Sequence, residues 1–409
     1  MTIIEDVVIR KILDSRGNPT VEVEIYTPDG FGSAMAPSGA STGAHEVKAF
    51  PSGGVDDSIA IFRSEVADEL AGMDAAYQSD IDELLHSIDG TSDFSRLGGN
   101  AAVAASLAAA NAAANSLGIP LYRHIGGLAS RRRMPLPLGN VLGGGRHAVG
   151  GTDIQEFLVM ASDGNPSKTV FANALVHKRV GALLKENLPG SAIGKGDEGA
   201  WVASVSNEDA LELVSRACGD ISDGTGLALR PALDVAASEL YSAEDGKYTY
   251  RDRSISPGEQ IDYMARLVET YNLCLIEDPL DQDDFQGYAE LTGKVGGRCV
   301  VVGDDLFVTN PERIAHGISM GACNSVLIKP NQIGTLTRTL EAVDMAHRAG
   351  YTTVVSHRSG ETTDPSIAHI AVAVGALAIK TGSVGGERTA KLNELIRIED
   401  DIQGGIENE

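Results

Sequence analysis

The fold of this chain follows from six short apolar runs: LRPALD (229–234), CLIED (274–278), VVVGDD (300–305), SVLIK (325–329), TTVVSH (352–357) and LAIK (377–380). Each run leads into an ionisable residue, and the six are Asp234, Glu277, Asp304, Lys329, His357 and Lys380. Most of these residues follow one another at intervals of 23 to 28 positions. That interval fits one strand, one helix and the loops that join them.

The runs predict a barrel of parallel strands. Strands buried on both faces read as continuous aliphatic stretches, and parallel strands need a crossover of a dozen or more residues. In such a barrel, side chains at the carboxyl ends of several strands reach one mouth. One charged residue after an apolar run is usually only the solvated start of a loop, but six in succession argue against that interpretation. We therefore predict that three carboxylates, two lysines and one histidine meet at one site.

The composition limits the partners of the protein. The 409 residues suggest two domains, and 57 acidic against 33 basic residues give a net charge of −24. Such a charge repels polyanions, which argues against binding to nucleic acid or to an anionic membrane. A small anionic substrate must therefore bind in a locally basic pocket.

The sequence also predicts a cytoplasmic location. The N-terminus MTIIEDVVIRKILD has no basic region followed by a long apolar stretch, and the four cysteines form no C-x-x-C pair. The longest uncharged stretch, residues 97–122, is mostly alanine with three asparagines and a proline. This composition favours a closely packed helix over a membrane span.

Pattern changes along the chain divide it into parts. The alternation VEVEIY (21–26) predicts a β-strand, and the pattern between residues 58 and 117 is helical. Glycines and prolines then surround the arginines at 131–133, which we interpret as a solvated linker. We predict an N-terminal α+β domain at 1–126, a linker at 127–137 and the barrel domain at 138–409.

Three of the six ionisable residues form a set of oxygen ligands. Asp234, Glu277 and Asp304 follow three successive strands, and carboxylates without Cys or His are the ligands that Mg²⁺ prefers. The alternative is that each carboxylate only caps a loop. Three unpaired carboxylates would then repel one another at close range, and a cation removes that cost.

The two lysines suggest proton abstraction. A lysine is an effective general base only if its pKa falls well below its free value, and nearby cations lower it. We therefore expect a metal and the Lys380 ammonium to depress the pKa of Lys329. The alternative of a surface lysine is disfavoured because Lys329 stands within the apolar sequence VLIKPNQ.

Loop sequences add groups for binding and acid catalysis. SHRSGET (356–362) places Arg358 and Ser359 after a strand, where a guanidinium and loop amides can hold a phosphate. PSGASTG (37–43) is a flexible segment with two serines that is suited to closing over a ligand. Each of these motifs alone would be only a loop.

Two further segments carry ionisable groups. LGGGRHAVGG (142–151) contains His147 and precedes Gln155 and Glu156, and GKGDEGAW (194–201) contains Glu198. Taken singly, these are a hydrogen-bonded histidine and exposed acids. If they face the metal, Glu156 and Glu198 can form a carboxylate pair for acid catalysis.

Together these motifs identify a family. In order along nearly the whole chain stand DSRGNPTVEVE, PSGASTG, GDEG, LDVAASE, IEDPL, GDDLFVTNP, LIKPNQIGT, SHRSGET and KLNELIRIE. The series resembles the enolases, the phosphopyruvate hydratases of glycolysis and gluconeogenesis, and most closely those of archaea. The resemblance implies an N-terminal α+β capping domain on a catalytic, eight-stranded α/β barrel whose first strands depart from the usual order. It also implies two Mg²⁺ per active site and a small phosphorylated three-carbon acid, 2-phosphoglycerate, as substrate.

The resemblance also implies a role for each candidate residue. Ligands of the first Mg²⁺ would be Asp234, Glu277 and Asp304, with Asp305 beside them, and Ser41 would bind the second Mg²⁺. Catalytic groups would be Lys329 as base, Lys380 beside the substrate carboxylate, Glu198 and Glu156 on the acid side, and His357. Substrate-binding groups would be His147, Gln155, Glu156, Arg358, Ser359, Lys380 and Ala40.

Assembly into a homodimer or a higher homo-oligomer is expected on the same grounds. The residues that would join two subunits are Arg16, Glu22, Arg397 and Glu399.

Some loops depart from the commonest enolase pattern. These are Gly143–Gly145, the segment after Glu198 that contains Trp201, and Ser383–Arg388, which is one residue shorter than usual. A racemase or cycloisomerase of the wider superfamily is one alternative, but this chain contains no Lys-x-Lys motif. A catalytically silent relative is another, but every expected catalytic residue type is present.

Overall fold

The computed structural model describes residues 1–39, 42–127, 133–148, 150–191 and 193–407, with the backbone alone at 147 and at 405–407. The N-terminal part opens with an antiparallel sheet of β1 (Asp6–Leu13), β2 (Pro19–Thr27) and β3 (Gly30–Met35), in that order. The predicted strand at 21–26 lies within β2. Its alternation places Val21, Val23 and Ile25 in the core.

Five helices of the described N-terminal residues pack around this sheet. They are α1 (Gly54–Ile61), α2 (Ala67–Leu70), α3 (Gln78–Asp89), α4 (Gly99–Leu117) and α5 (Leu121–Gly126), with a π-helical turn at Phe62–Val66 between the first two. The alanine-rich stretch forms α4, which is buried against β2 and β3. Small side chains permit this approach: a Cβ on Gly32 of β3 would lie 2.2 Å from the Ala108 carbonyl oxygen. Among the described residues, no helix is both long and apolar enough to cross a membrane.

The second part is a closed barrel. Its strands and the short strands beside them are β4 (Leu136–Gly143), β5 (Glu156–Ala161), β6 (Gly194–Lys195), β7 (Trp201–Val202), β8 (Leu229–Asp234), β9 (Tyr241–Ser242), β10 (Lys247–Thr249), β11 (Ser254–Ile255), β12 (Leu275–Glu277), β13 (Val300–Gly303), β14 (Ser325–Ile328), β15 (Thr352–Ser356) and β16 (Ala378–Lys380). Around the barrel the order is β4, β5, β8 and β12 to β16, and β16 pairs with β4. All six predicted runs are strands, from β8 and β12 to β16.

The strand directions confirm the expected departure from a fully parallel barrel. β5 runs antiparallel to both β4 and β8, whereas the pairs from β8 to β16 and the closing pair are parallel. The barrel interior is filled by side chains of every strand: Leu138, Leu158, Met160, Ala232, Leu275, Val302, Leu327, Val354 and Ala378. The barrel is therefore solid below its mouth.

Helices cover the outside of the barrel. They are α6 (Pro166–Asn187), α7 (Asn207–Thr225), α8 (Pro257–Thr270), α9 (Phe285–Val295), α10 (Pro311–Met320), α11 (Pro330–Ile333), α12 (Leu336–Arg348), α13 (Ser366–Ala373) and α14 (Gly386–Glu407). Short 3₁₀ turns occur at Gly145–His147 and Ala237–Glu239. The start of α8 shows how the sequence sets a helix boundary, since Ser256 and Glu259 form a reciprocal capping box before Pro257.

The domain boundaries remain a prediction. Strand β4 begins at Leu136, inside the segment that we assign to the linker. Of the three linker arginines, Arg133 is exposed, and the other two lie outside the described residues.

The four cysteines are core residues. All are free and buried, and burial raises the pKa of the Cys274 thiol to about 12. None of them faces the barrel mouth as a thiolate.

Candidate active site

Side chains from the carboxyl ends of the strands enclose a small cavity of about 30 Å³. Its lining consists of Gly39, Gln155, Glu156, Glu198, Asp234, Asp304, Lys329, Ser356, His357, Arg358, Ser359 and Lys380. Ten of these residues are candidates named from the sequence. The barrel thus brings together groups that are up to 225 positions apart in the chain.

Lys380 stands at the centre of a group of buried carboxylates. Its Nζ lies 2.8 Å from Asp234 Oδ2, 2.8 Å from Glu277 Oε2 and 3.3 Å from Glu156 Oε1. Strand register explains the convergence, because Asp234 pairs with Glu156 on one side and with Glu277 on the other. Burial opposes the charge of Lys380, but these carboxylates outweigh it and raise its pKa well above the usual range.

Lys329 forms a second ion pair, with Asp304. The other Asp304 oxygen accepts a hydrogen bond of 2.8 Å from Gln332 Nε2. Burial lowers the pKa of Lys329, and Arg358 and Lys380 lower it further, but Asp304 outweighs them and the pKa is raised. The depressed pKa that we expect for Lys329 depends on a bound metal and stays a prediction, because the side chains by themselves raise the pKa. The positive neighbours are present, but the nearest charge is a carboxylate.

Two glutamates, Glu156 and Glu198, also line the cavity. Asn140 Nδ2 donates to Glu198 Oε2 over 3.1 Å, and both glutamates are buried. Burial and the neighbouring Glu198 raise the pKa of Glu156 well above its usual value. Glu156 therefore holds a proton more readily than an ordinary glutamate does, which suits the acid side of a reaction.

His357 lies between Glu198 and a buried arginine. Its Nε2 is 3.3 Å from Glu198 Oε1, and its Nδ1 is 2.8 Å from Arg388 Nη1. Burial lowers the pKa of His357 to about 4 in spite of Glu198. The imidazole is therefore neutral at physiological pH.

The guanidinium of Arg358 is fixed by a carboxylate from the N-terminal part. Arg358 Nη1 and Nη2 donate to Glu46 Oε2 and Oε1 over 2.9 and 3.1 Å, and Nη1 also donates to Asn331 Oδ1 over 3.1 Å. A forked pair of this kind holds the plane of the guanidinium. Arg358 therefore faces the cavity in a defined orientation.

The two loops that we predicted to bind phosphate and to close over the ligand contact each other. Ser38 N donates to Gly360 O over 2.7 Å, and Gly360 N donates back to Ser38 O over 2.8 Å. A Cβ on Gly360 would lie 2.6 Å from both Ser38 Oγ and Asp14 Oδ2, so this approach requires glycine. The N-terminal part is thereby attached to the barrel mouth beside Ser359.

Within the described residues, the carboxylates that approach closely enough to hold one ion are Asp278, Asp304 and Asp305, with ligand atoms within 4.8 Å of one another. Asp278 is a residue that we did not name from the sequence. Its oxygens accept from Asp304 N, Asp305 N and the Tyr288 hydroxyl over 2.8 to 3.0 Å. Asp278 thus anchors the backbone that carries Asp304, and burial with Asp304 raises the pKa of Asp305 to about 7.

The predicted ligands Asp234, Glu277 and Asp304 are paired with lysines among the described residues: Asp234 and Glu277 with Lys380, and Asp304 with Lys329. Their chemistry nevertheless fits a hard cation. Glu277 Oε1 is buried and has no hydrogen-bond partner among the described residues, and burial with Asp234 raises the pKa of Glu277 to about 8. A buried carboxylate oxygen without a hydrogen-bond partner is an available ligand for Mg²⁺.

Some predicted residues cannot be placed. Ala40 and Ser41 lie outside the described residues, and so does the side chain of His147. Gln155 is placed: its Nε2 lies 3.4 Å from Asp234 Oδ2.

The structure also adds residues that the motifs did not single out. These are Glu46, Asn140, Asp278, Gln332 and Arg388. Three of them left a signal in the sequence. Asn140 is a polar residue within the apolar strand LPLGNVLG, and Asp278 and Gln332 stand directly inside the quoted motifs IEDPL and LIKPNQIGT.

Comparison with known proteins gives one consistent result. A family model described as "Enolase, N-terminal domain" matches residues 4–125, and one described as "Enolase, C-terminal TIM barrel domain" matches residues 131–407. The chain is 55% identical to an enolase of Methanothermobacter thermautotrophicus over 98% of its own length and 97% of that protein. It is 55% identical to an enolase of Natronomonas pharaonis over 98% of its own length and 99% of that protein. It is 54% identical to an enolase of Halobacterium salinarum over 98% of its own length and 100% of that protein.

The buried ion pairs of Lys380 predict a stability effect. Lys380→Met leaves Asp234 and Glu277 buried without their cation, and removing one partner of a buried pair costs about 3–5 kcal/mol. We expect the free energy of unfolding to fall by about this amount in urea titrations with EDTA at neutral pH. Lys294→Met is the control, because Lys294 also pairs with two carboxylates but is exposed, and its replacement should change stability little. Equal losses of unfolding free energy in both variants would contradict the claim that the buried ion pairs of Lys380 stabilise the fold.

Proposed function

The chain belongs to the enolase family, and from this premise we propose that it catalyses the reversible, Mg²⁺-dependent dehydration of 2-phospho-D-glycerate to phosphoenolpyruvate. As a member of that family it is a lyase, a phosphopyruvate hydratase of glycolysis. The observation that carries the proposed mechanism is the arrangement of one cavity. Lys329 and Lys380 line it together with the Glu156 and Glu198 pair, so a base, a charge-stabilising group and an acid all face the same small volume.

The binding of Mg²⁺ is supported by the donor set. Asp234, Glu277 and Asp304 offer only oxygen, and Glu277 Oε1 is buried without a partner among the residues described. These three residues would hold the first ion, and Ser41 would bind the second. Bound there, Mg²⁺ supplies the positive charge that stabilises an enolate and that offsets the Asp304 carboxylate next to Lys329.

Lys329 is the proposed general base for the C2 proton. Lys329 and Lys380 both line the cavity, and the charge of the Lys380 ammonium lowers the pKa of Lys329. Lys329 must lose its own proton before it can accept one from carbon. The pairing of Asp304 with another cation would permit this, because Asp304 is the main group that raises the pKa of Lys329.

Lys380 is the proposed partner of the substrate carboxylate, where the enolate gathers negative charge. Its ammonium is buried and held by three carboxylates, so its position does not depend on solvent. A fixed, desolvated cation of this kind stabilises developing charge without reorganising during the reaction.

Glu198 and Glu156 are the proposed groups on the acid side, where the C3 hydroxyl departs. The raised pKa of Glu156 supports this role, because a carboxyl group must retain a proton near neutral pH to donate it. Gln155, His147 and His357 would line the same part of the pocket.

Arg358 and Ser359 are the proposed phosphate ligands, and Ala40 is a further residue proposed to bind the substrate. The guanidinium is buried and oriented by Glu46, and it lines the cavity beside Lys329. The cations that line the cavity are Arg358, Lys329 and Lys380, and each is paired with at least one carboxylate.

Activity with Mg²⁺ is the direct test. Purified protein should convert 2-phosphoglycerate to the ultraviolet-absorbing enol phosphate when Mg²⁺ is present and should lose that activity in EDTA. Readdition of Mg²⁺ should restore it. Absence of product with the metal present would exclude the proposed function.

Exchange of the C2 proton with solvent separates the base from the acid. Lys329→Ala should abolish exchange, because proton removal is lost. Glu198→Gln should retain most of it while overall dehydration falls, because the acid acts on the hydroxyl group after the enolate has formed. Deuterium incorporation at C2, followed by NMR, measures both. Exchange that survives in Lys329→Ala would mean that another residue is the base.

Assembly into a homodimer or a higher homo-oligomer, in the cytoplasm, is proposed from the family resemblance. The four residues expected at the subunit contact have partners within the chain: Arg16 pairs with Asp197, Glu22 with Arg10, Arg397 with Glu394, and Glu399 accepts from Ser167. Glu399 is buried, whereas the Arg397 side chain is largely exposed. An exchange of partners is therefore simplest for Arg397.

Sedimentation equilibrium tests the assembly. We expect a mass of at least twice the 42.7 kDa of one chain. Reversal of charge at an exposed position, as in Arg397→Glu, should shift the protein toward monomer if that residue joins two subunits. A wild-type protein that sediments only as monomer would contradict the proposal.

A further inference from the structure

Among the residues that the structure describes, Arg388 has the largest fully buried side chain, and the proposed reaction assigns it no role. It lies at the start of α14, after the shortened loop that follows Lys380. A buried arginine requires hydrogen bonds for its N–H groups, since burial of an unsatisfied charge is costly. The partners of Arg388 therefore indicate what it does.

The guanidinium joins two loops of the active site. Nη1 donates to His357 Nδ1 over 2.8 Å and to the Arg358 carbonyl over 2.6 Å. Nη2 donates to the Ser359 carbonyl over 2.7 Å and to the Asp197 carbonyl over 3.4 Å. Arg388 thus contacts the residue before Glu198 and three successive residues of the phosphate loop.

The contact with His357 determines where the imidazole carries its proton. A guanidinium has only donors and keeps its charge in proteins, so His357 Nδ1 must be the acceptor in this pair. A neutral imidazole has one N–H and one acceptor nitrogen, and the proton must therefore be on Nε2. An imidazolium is disfavoured as well, because its Nδ1–H would face the N–H of Arg388.

The Nε2–H group is directed at the acid side of the site. Nε2 is buried and lies 3.3 Å from Glu198 Oε1, and within the described part of the chain no aligned hydrogen bond occupies it. His357 lines the cavity together with Glu198 and Glu156. With the proton on Nδ1 instead, a lone pair on Nε2 would face the Glu198 carboxylate, which is repulsive.

We propose that Arg388 is a positioning residue that holds His357 as the neutral Nε2–H tautomer, so that His357 donates a hydrogen bond to Glu198 or to the hydroxyl group leaving beside it. The inference rests on the proposed function, in which Glu198 assists that departure. His357 then acts as a fixed neutral donor and not as an acid or base.

The electrostatic surroundings agree with this role. The ionisable groups that act on His357 are Glu198, Arg388 and Glu361. Glu361 is itself paired with Lys391 over 2.7 Å, so its charge is largely offset. Burial and the Arg388 charge keep the imidazole neutral, and Glu198, 3.3 Å away, is the main group that opposes them.

The tautomer can be read directly in the unmodified protein. In ¹⁵N-histidine-labelled full-length protein, long-range ¹H–¹⁵N spectra distinguish a protonated from an unprotonated ring nitrogen. The signals of His357 are those of the nine histidines that disappear in His357→Gln. We expect Nδ1 to be unprotonated and Nε2 protonated at neutral pH. A protonated Nδ1, in either the other tautomer or the cation, overturns the proposal without any Arg388 variant.

Variants then test whether Arg388 sets the tautomer. Arg388→Met keeps an unbranched, shorter side chain but removes the guanidinium with its donors and its charge, and the His357 signals should move toward the other tautomer or the cation. Lys391→Met controls for the loss of a buried cation of α14, because Lys391 bonds to Glu361 and Thr362 and not to His357. Its only effect on His357 is through the uncovered charge of Glu361, so it should shift the His357 signals less than Arg388→Met does. The proposal fails if the His357 signals are the same in Arg388→Met as in wild type, or if Lys391→Met shifts them equally.

Kinetics separate positioning from a general effect on structure. Partners that orient a metal-ligating histidine are typically worth about 10- to 100-fold in activity. By analogy we expect kcat of Arg388→Met to fall by about 10- to 100-fold with a smaller change in KM. In a His357→Gln background an amide N–H replaces Nε2–H and no tautomer exists. In that background the same Arg388 substitution should lower kcat by a much smaller factor. An equal loss in both backgrounds means that Arg388 acts elsewhere.

The two proposals fail separately. A wild-type protein that is inactive with Mg²⁺ would exclude the proposed reaction, whereas the NMR result does not depend on turnover. An active enzyme with a protonated Nδ1 would retain the proposed function and lose only this inference.

Discussion

The structure depends on the balance of charge at the mouth of the barrel. Asp234, Glu277 and Glu156 are in register on three adjacent strands, which places three carboxylates side by side in a buried position. Carboxylates so arranged repel one another and lose hydration, and the Lys380 ammonium offsets both costs. Lys329 does the same for Asp304. Fold stability and chemistry therefore use the same few charges.

This balance explains why the surrounding loops are so thoroughly hydrogen-bonded. Each charged group at the mouth is held by a second residue: Asp304 by Gln332, Arg358 by Glu46 and Glu198 by Asn140. Arg388 adds the same kind of support for His357. A buried charge tolerates little displacement, because its compensation depends on contacts of about 3 Å. The cavity is consequently preorganised before any substrate enters it.

The same balance links the two parts of the chain. Glu46 and Ser38 come from the N-terminal part, yet one orients Arg358 and the other pairs with the backbone of Gly360. The N-terminal part therefore positions residues of the proposed phosphate side of the site and does more than cover the barrel. A substrate phosphate would enter a region where Glu46 already satisfies the guanidinium, so binding must add to that contact or replace it.

Much of this could be predicted from the sequence because it is periodic or local. The six apolar runs determined the parallel strands, and the residue at the end of each run lies at the mouth because every parallel strand has the same direction. Ordered motifs identified the family and ten residues of the cavity. Other features required the tertiary structure. The raised pKa of Lys329, the anchoring by Asp278 and the contact of Arg388 with His357 depend on distances between residues remote in the chain. Sequence spacing fixes which side chains reach the mouth, but only packing decides which charge lies nearest to which, and electrostatic effects depend steeply on that distance.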